Sequence, residues 1–427
     1  MTSESFEGLK ESAQNFVVLL LKADFKSATS KFDDQMIATL TESKLKESWQ
    51  NLVSEAGNLL QLDIERTVEV ENYRIVVVRC HFQRNIMDVQ VVFNKNEEIS
   101  GLNFTPTLFE YHPPTYVDES AFHELDVTIG EGKWAIPGIL TVPEGTGPFP
   151  GLILVHGSGP NDRDETIGPN KPFRDLAWGL TSKGIAVLRY DKRTYTHAKQ
   201  FTPEILENLT VKEEVIDDAL LAVQLMLQKK EINSERIFLL GHSLGATVAP
   251  RIAQQTQHLA GIIIMAGITR SLEDTILDQF TYLYNLGGKI TSEQKDELEA
   301  LKLKVEKVKT IERSDNVSSQ DLPLGISAAY WKDLTENDQV EIAGNLKIPI
   351  LILQGGRDYQ VLESEDFKGW KTALNNHENV RFKLFPKLNH LFIEGKGKST
   401  PQEYSVEGHI NFEVIKTILN WIKERVG

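Results

Sequence analysis

The chain reads as an α/β protein: a mostly parallel sheet with helices on both faces and a helical cap inserted late, preceded by a small α+β domain. Three observations lead there. Short, almost wholly apolar runs at 151–155, 185–188, 237–240, 261–265 and 349–354 alternate with helical stretches, and strands apolar on both faces belong to a parallel sheet covered on both sides. That alternation stops between Gly267 and Ile348, too long a stretch for a simple crossover. At the start of the chain, by contrast, helices come first and paired strands afterwards.

In the first part, Leu45, Trp49, Leu52 and Val53 fall on one helical face after an apolar run at 16–21, and 73–82 and 87–93 read as paired strands. This places an α+β domain at 1–112, a linker stiffened by Pro113 and Pro114 at 113–120, and a second domain at 121–427. A length of 427 residues agrees with two cores. The second domain opens with a hairpin over about 123–142. Then come the strand 151–155, a helix over 173–183, the strand 185–188, a helix over 211–229, and the strands 237–240 and 261–265. In the insertion, about 268–347, Thr291-Ser292-Glu293-Gln294 has the form of a helix start, and Phe280, Tyr282, Tyr284, Tyr330 and Trp331 flank the charged helix that follows. The insertion is expected to form a roof over the sheet's carboxyl end, with Phe280, Tyr284 and Trp331 lining an apolar pocket. Two last strands at 349–354 and 380–385 close the pattern.

Composition sets outer bounds. A net charge of -15 argues against a nucleic-acid partner, whose phosphates need a basic face. The single cysteine, Cys80, makes no internal disulfide and sits on an alternating strand, where it reads as buried core. The sequence holds no cluster with metal-ligand spacing and no phosphate-cradling glycine loop, so neither a metal nor a cofactor is expected. The apolar run at 16–21 is too short to cross a bilayer, and the acidic start lacks the basic beginning of a secretory signal. A cytoplasmic protein without a membrane partner is the expectation, unless a leader has been removed.

The chemistry is carried by Gly241-His242-Ser243-Leu244-Gly245, which follows a strand and opens into a helix. On such a turn a serine is lifted clear of the sheet, and the positions two before and two after it must be nearly free of side chain. Ser243 is therefore a candidate nucleophile. A serine hydroxyl needs a base, and the base a third group that fixes its tautomer. On this kind of sheet they follow in the order acid, then histidine, on loops after later strands. Asp358 stands at the tip of Gly355-Gly356-Arg357-Asp358 after 349–354, and His390 ends the loop after 380–385. His156 precedes the serine and His242 adjoins it, so neither suits the role of base. Negative charge on the substrate oxygen calls for two N–H donors. One is assigned to the amide of Leu244, the other to that of Ser158 in the loop His156-Gly157-Ser158-Gly159-Pro160.

On these residues the chain resembles the α/β-hydrolases of the serine-esterase kind over roughly 119–427. Asn161-Asp162-Arg163-Asp164-Glu165 and Arg189-Tyr190-Asp191-Lys192-Arg193 further resemble a bacterial subgroup that carries a DUF3887-type, NTF2-like domain in front of the hydrolase. Pro250 inside the helix after Ser243 departs from the pattern and reads as structural. The resemblance implies cleavage of a small-molecule carboxylic ester of small to medium acyl chain through an acyl-enzyme. The same triad would also serve a peptidase, thioesterase or acyltransferase, and a non-catalytic binding protein on this scaffold is the reading from another class. NTF2-like domains often pair through their sheets, so a homodimer is allowed by analogy.

Overall fold

The computed structural model describes residues 4–57, 59–82, 86–107, 109–311 and 317–426, so positions 312–316 of the insertion lie outside the described residues. The chain divides into two compact units, one formed by Met1–Tyr111 and one that takes in nearly all of the remainder.

In the first unit four helices, Glu4–Leu21, Phe25–Thr29, Asp34–Thr39 and Glu42–Ala56, precede a four-stranded antiparallel meander of β1 (Leu59–Val70), β2 (Tyr73–Phe82), β3 (Ile86–Phe93) and β4 (Ile99–Pro106). The side chains of Asp24, Asp33 and Thr41 accept N–H bonds at helix starts and so satisfy donors with no partner within the helix. Leu9, Phe16, Val17, Leu20, Leu45 and Trp49 pack in one core with Val76, Val78, Cys80, Val89 and Val91. The central pair β2 and β3 lies where the alternation predicts it; β1 and β4 flank it. Cys80 is fully buried, and burial, with Asp88 nearby, pushes its thiol up to about 12.

The second unit holds eight strands: β5 (Phe122–Ile129), β6 (Ile136–Pro143), β7 (Phe149–Val155), β8 (Ala186–Tyr190), β9 (Ile232–His242), β10 (Gly261–Met265), β11 (Ile350–Gly355) and β12 (Val380–Phe385). Their order across the sheet is β12-β11-β10-β9-β7-β8-β6-β5. The six strands from β12 to β8 are parallel, whereas the β5–β6 hairpin joins antiparallel through β6 and β8. Successive residues of a strand point to opposite faces. Accordingly, Ile153, Val155, Leu239, Ile262 and Ile264 enter the core on one side, and Leu152, Leu154, Phe238, Leu240, Ile263 and Met265 enter the core on the other. Both cores are closed by helices, among them Pro172–Thr181, Asp217–Gln228, Leu244–Gln254 and Phe412–Val426. The helix after Ser243 runs through Pro250 to Gln254.

Between β10 and β11 lies the helical insertion, with helices Leu272–Leu286, Ser292–Thr310, Ala328–Thr335 and Gln339–Asn345. The helix start read at Thr291 is a capping box: the threonine side chain takes the Gln294 N–H, and the Gln294 side chain takes the Thr291 N–H. The insertion has an apolar cluster of its own, Ile276, Val308, Leu322 and Trp331. Among the described residues, no helix is long and apolar enough to cross a membrane, and no group of three or more His, Cys, Asp and Glu side chains is placed to hold a metal ion.

Candidate active site

Ser243 caps the helix Leu244–Gln254 at φ 54 and ψ -114, a left-handed backbone that a non-glycine residue rarely adopts and that surrounding contacts must hold. Its N–H donates to the Met265 carbonyl at 3.0 Å, which ties the turn to the end of β10. The flanking glycines are required by space. A Cβ on Gly241 would lie 2.1 Å from the Gly245 carbonyl oxygen, and one on Gly245 would lie 2.2 Å from that of Val155. The turn thus crosses itself and the end of β7 at backbone contact.

The loops that carry Asp358 and His390 are pressed together in the same way. A Cβ on Gly355 would meet the Leu388 and Asn389 carbonyl oxygens at 2.6 Å, and the Arg357 N–H donates to the Leu388 carbonyl at 2.9 Å. This approach brings His390 Nδ1 to 2.7 Å from Asp358 Oδ2, with both side chains buried. Asp358 is itself fixed: its Oδ1 accepts N–H bonds from Gln360 at 2.8 Å and Val361 at 3.0 Å, and Gln354 Nε2 donates to Oδ2 at 3.2 Å. With Nδ1 engaged, Nε2 is the nitrogen His390 has left for proton transfer. Of the other acids near Asp358, Asp366 is buried but binds Arg270 and the Thr269 and Leu362 amides, and Glu363 is exposed.

The loop after β7 abuts Ser243: a Cβ on Gly157 would lie 3.1 Å from Ser243 Cβ. Ser158 and Leu244 both line one cavity of about 570 Å³. Leu244 is the first residue of its helix, where N–H groups have no helical partner, and the Ser158 N–H has no hydrogen-bond partner among the described residues. The cavity is walled by Phe201, Leu206 and Leu209 from the segment between β8 and β9, and by Leu324, Ile326 and Tyr330 from the insertion.

Phe280, Tyr284 and Trp331 do not line this cavity, which corrects the pocket expected from the sequence. Trp331 is fully buried inside the insertion with Ile276, Val308 and Leu322, where such an apolar ring holds the helices of the insertion together. Phe280 packs on that cluster and edge-on to Tyr284, whose hydroxyl donates to Glu297. Trp331 and Phe280 thus serve the insertion's own core.

Sequence reasoning also passed over a buried pair. His242 Nδ1 lies 2.9 Å from Glu165 Oε2, its Nε2 lies 3.0 Å from the His390 carbonyl oxygen, and the two histidine rings lie 4.8 Å apart, tilted by 43°. Glu165 Oε1 accepts the Gly157 N–H at 2.7 Å. Both ring nitrogens of His242 therefore face oxygen acceptors, which calls for a proton on each. Burial alone would hold the imidazole low, but the Glu165 carboxylate and the His390 carbonyl outweigh it and raise it above its ordinary value. Burial likewise disfavours the Glu165 carboxylate, yet the charge and hydrogen bond of His242 keep it below its ordinary value. His156, by contrast, is pushed down to about 4 by burial and stays neutral against Phe173 and Tyr190. The signal for the pair lay in the loop at 161–165, which carries two further acids before Glu165, so the sequence alone did not single it out.

A doubly covered sheet with a strained serine elbow after its fifth strand defines the α/β-hydrolase class. Residues 170–396 match the family described as serine aminopeptidase, S33, over just over half of the chain, and residues 13–102 match DUF3887, described as a protein of unknown function. The chain belongs to the α/β-hydrolase family and carries an N-terminal DUF3887 domain. It is 40% identical over 419 residues to Esterase EstD of Thermotoga maritima, which covers 98% of this chain and 96% of that protein. Among solved structures, an esterase of Pyrococcus furiosus is 16% identical, covering 75% of this chain and 100% of its own with a TM-score of 0.45. Est1E of Butyrivibrio proteoclasticus is 14% identical over 70% of this chain and 98% of its own, with a TM-score of 0.44.

Proposed function

We propose that this carboxylesterase-type hydrolase cleaves carboxylic esters of small to medium acyl chain through a covalent acyl-enzyme. Ser243 attacks the ester carbonyl while His390 Nε2 takes its proton, and Asp358 holds the ring and stabilises the imidazolium that forms. The amides of Leu244 and Ser158 hold the oxyanion, and the imidazolium returns the proton to the departing alcohol. Water, activated by the same histidine, then releases the acid. The observation that carries this reading is the 2.7 Å contact of buried His390 with buried Asp358 on loops packed at backbone contact. The apolar walls of the adjoining cavity suit an acyl chain, and the similarity to Esterase EstD favours ester substrates. The family description as serine aminopeptidase favours peptides as the second reading.

The test is a hydrolysis screen over p-nitrophenyl esters of two to twelve carbons, aminoacyl and peptidyl p-nitroanilides, and acyl thioesters. The reading expects the highest kcat/KM on short or medium esters; a clear preference for the anilides would replace it with the peptidase reading.

A further inference from the structure

Lys192 is a buried cation without a place in the triad, and it touches the backbone beside the nucleophile. It lies just beyond β8 and is 2% exposed. Its Nζ donates to the Gly157 carbonyl at 3.0 Å and pairs with Glu214 Oε1 at 2.6 Å. The other oxygen of Glu214 accepts the hydroxyl of Tyr330 at 2.6 Å, from the insertion helix Ala328–Thr335. Gly157 is thus held at both ends, its N–H by Glu165 and its carbonyl by Lys192, with Asn161 Nδ2 sharing the carbonyl at 3.2 Å.

The peptide that Lys192 grips is the one that ends in the Ser158 N–H. A trans peptide is planar, so the Gly157 carbonyl and the Ser158 N–H point in opposite directions. Holding the carbonyl against the ammonium fixes the N–H on the far side of that peptide. The positive charge at the carbonyl end also polarises the unit and strengthens its N–H as a donor, an effect that grows where water is excluded. An ammonium is costly to desolvate, and here its compensation comes from a backbone oxygen and a carboxylate that in turn leans on the insertion.

We propose that Lys192 is a positioning residue for the oxyanion hole, fixing and polarising the Gly157–Ser158 peptide, and that Tyr330 holds Lys192 in place through Glu214. The proposal rests on the acyl-enzyme reading. Because Glu214 and Tyr330 line the same cavity as Ser158, the relay links the seating of the insertion helix to the donor that the transition state uses.

The test compares wild type with Lys192→Met, with Lys192→Met/Glu214→Gln, which leaves no unpaired charge buried, and with Tyr330→Phe, which removes only a hydroxyl. Thermal unfolding, kcat and KM on p-nitrophenyl butyrate, and inhibition by phenylboronic acid, a tetrahedral mimic of the intermediate, are measured for each. In the Lys192 variants kcat is expected to fall at least tenfold, short of the roughly 10²–10³-fold cost of losing an oxyanion donor outright. Boronate affinity should weaken in parallel while KM stays within about threefold, the split of an interaction made only in the transition state. Tyr330→Phe should move kcat and boronate affinity in the same sense by a smaller factor. Folded Lys192 variants with unchanged kcat and boronate affinity, or a loss confined to KM, would overturn the proposal. If neither Lys192 variant folds, the same split in Tyr330→Phe decides, and no change there overturns it. Wild type that a fluorophosphonate fails to label at Ser243 refutes the acyl-enzyme reading itself, whereas a labelled wild type with indifferent variants refutes only the role of Lys192.

Discussion

Glu165→Ala removes two buried hydrogen bonds and one buried charge in a single step. The Gly157 N–H loses its acceptor and His242 Nδ1 loses its carboxylate, both in places closed to water. Breaking a buried ion pair from one side costs about 3–5 kcal/mol, a figure that already contains much of the orphaned N–H penalty, so the two are not added. At about 2 °C per kcal/mol, the low end for large domains, the unit should melt about 6–10 °C lower. Glu165→Gln keeps an oxygen for Gly157 and offers an N–H to a neutral His242, so its cost should be about 1–2 kcal/mol. The difference between wild type and Glu165→Gln should also depend on pH. The folded Glu165 titrates below its ordinary 4.5, so its contribution is in place above pH 4.5 and is lost as pH falls through the lowered value. The folded His242 titrates above its ordinary 6.5, so its contribution is complete below pH 6.5 and is lost as pH rises through the raised value. Melting curves of the three proteins from pH 4 to 9 should therefore diverge most between 4.5 and 6.5. Equal melting of Glu165→Ala and wild type, or a glutamine variant as damaged as the alanine one, would refute the reasoning.

The other expectations concern the triad, the elbow and the cavity. His390→Ala should lower kcat nearly as far as loss of Ser243, and Asp358→Asn less far, because triad members act as a unit and the acid is the least costly to remove; steady-state kinetics on one ester orders them, and an inert His390 variant effect would refute the base. Gly245→Ala should abolish folding of the elbow, since its Cβ would lie 2.2 Å from the Val155 carbonyl oxygen; soluble protein with wild-type kcat would contradict that. Enlarging the cavity by Leu324→Ala or Ile326→Ala should change the ratio of kcat/KM between butyrate and octanoate esters by about 10-fold or more, at 1–3 kcal/mol per group removed. Trp331→Ala should instead cost about 3–5 kcal/mol of stability and leave that ratio unchanged, measured by melting and by the same ester pair.

The sheet was legible because its strands are apolar on both faces, and the elbow because Gly241 and Gly245 have no substitute where backbones cross. The pairing of Asp358 with His390 could be expected from their order after the last two strands, and Gly355 explains how those loops meet. The insertion's cap helix was visible in Thr291 and Gln294, which cap each other locally. What failed was the lining of the cavity. Phe280, Tyr284 and Trp331 are picked out by their place beside the charged helix, but aromatics there serve the insertion's own core as readily as a ligand, and only packing distinguishes the two. The cavity is built instead from Leu206, Leu209, Leu324 and Ile326, on short segments without periodicity. Glu165, Lys192 and Glu214 were opaque for a related reason: a buried charge looks like a solvated one until its partners, far away in sequence, are known.

The central claim is that Ser243 is the nucleophile, and the most direct measurement is covalent labelling of the full chain with a fluorophosphonate followed by mass mapping. The account predicts one adduct per chain, on the peptide bearing Ser243, formed at a rate that falls with His390→Ala and absent in Ser243→Ala. An adduct on another serine, or ester hydrolysis that survives in Ser243→Ala, would contradict it.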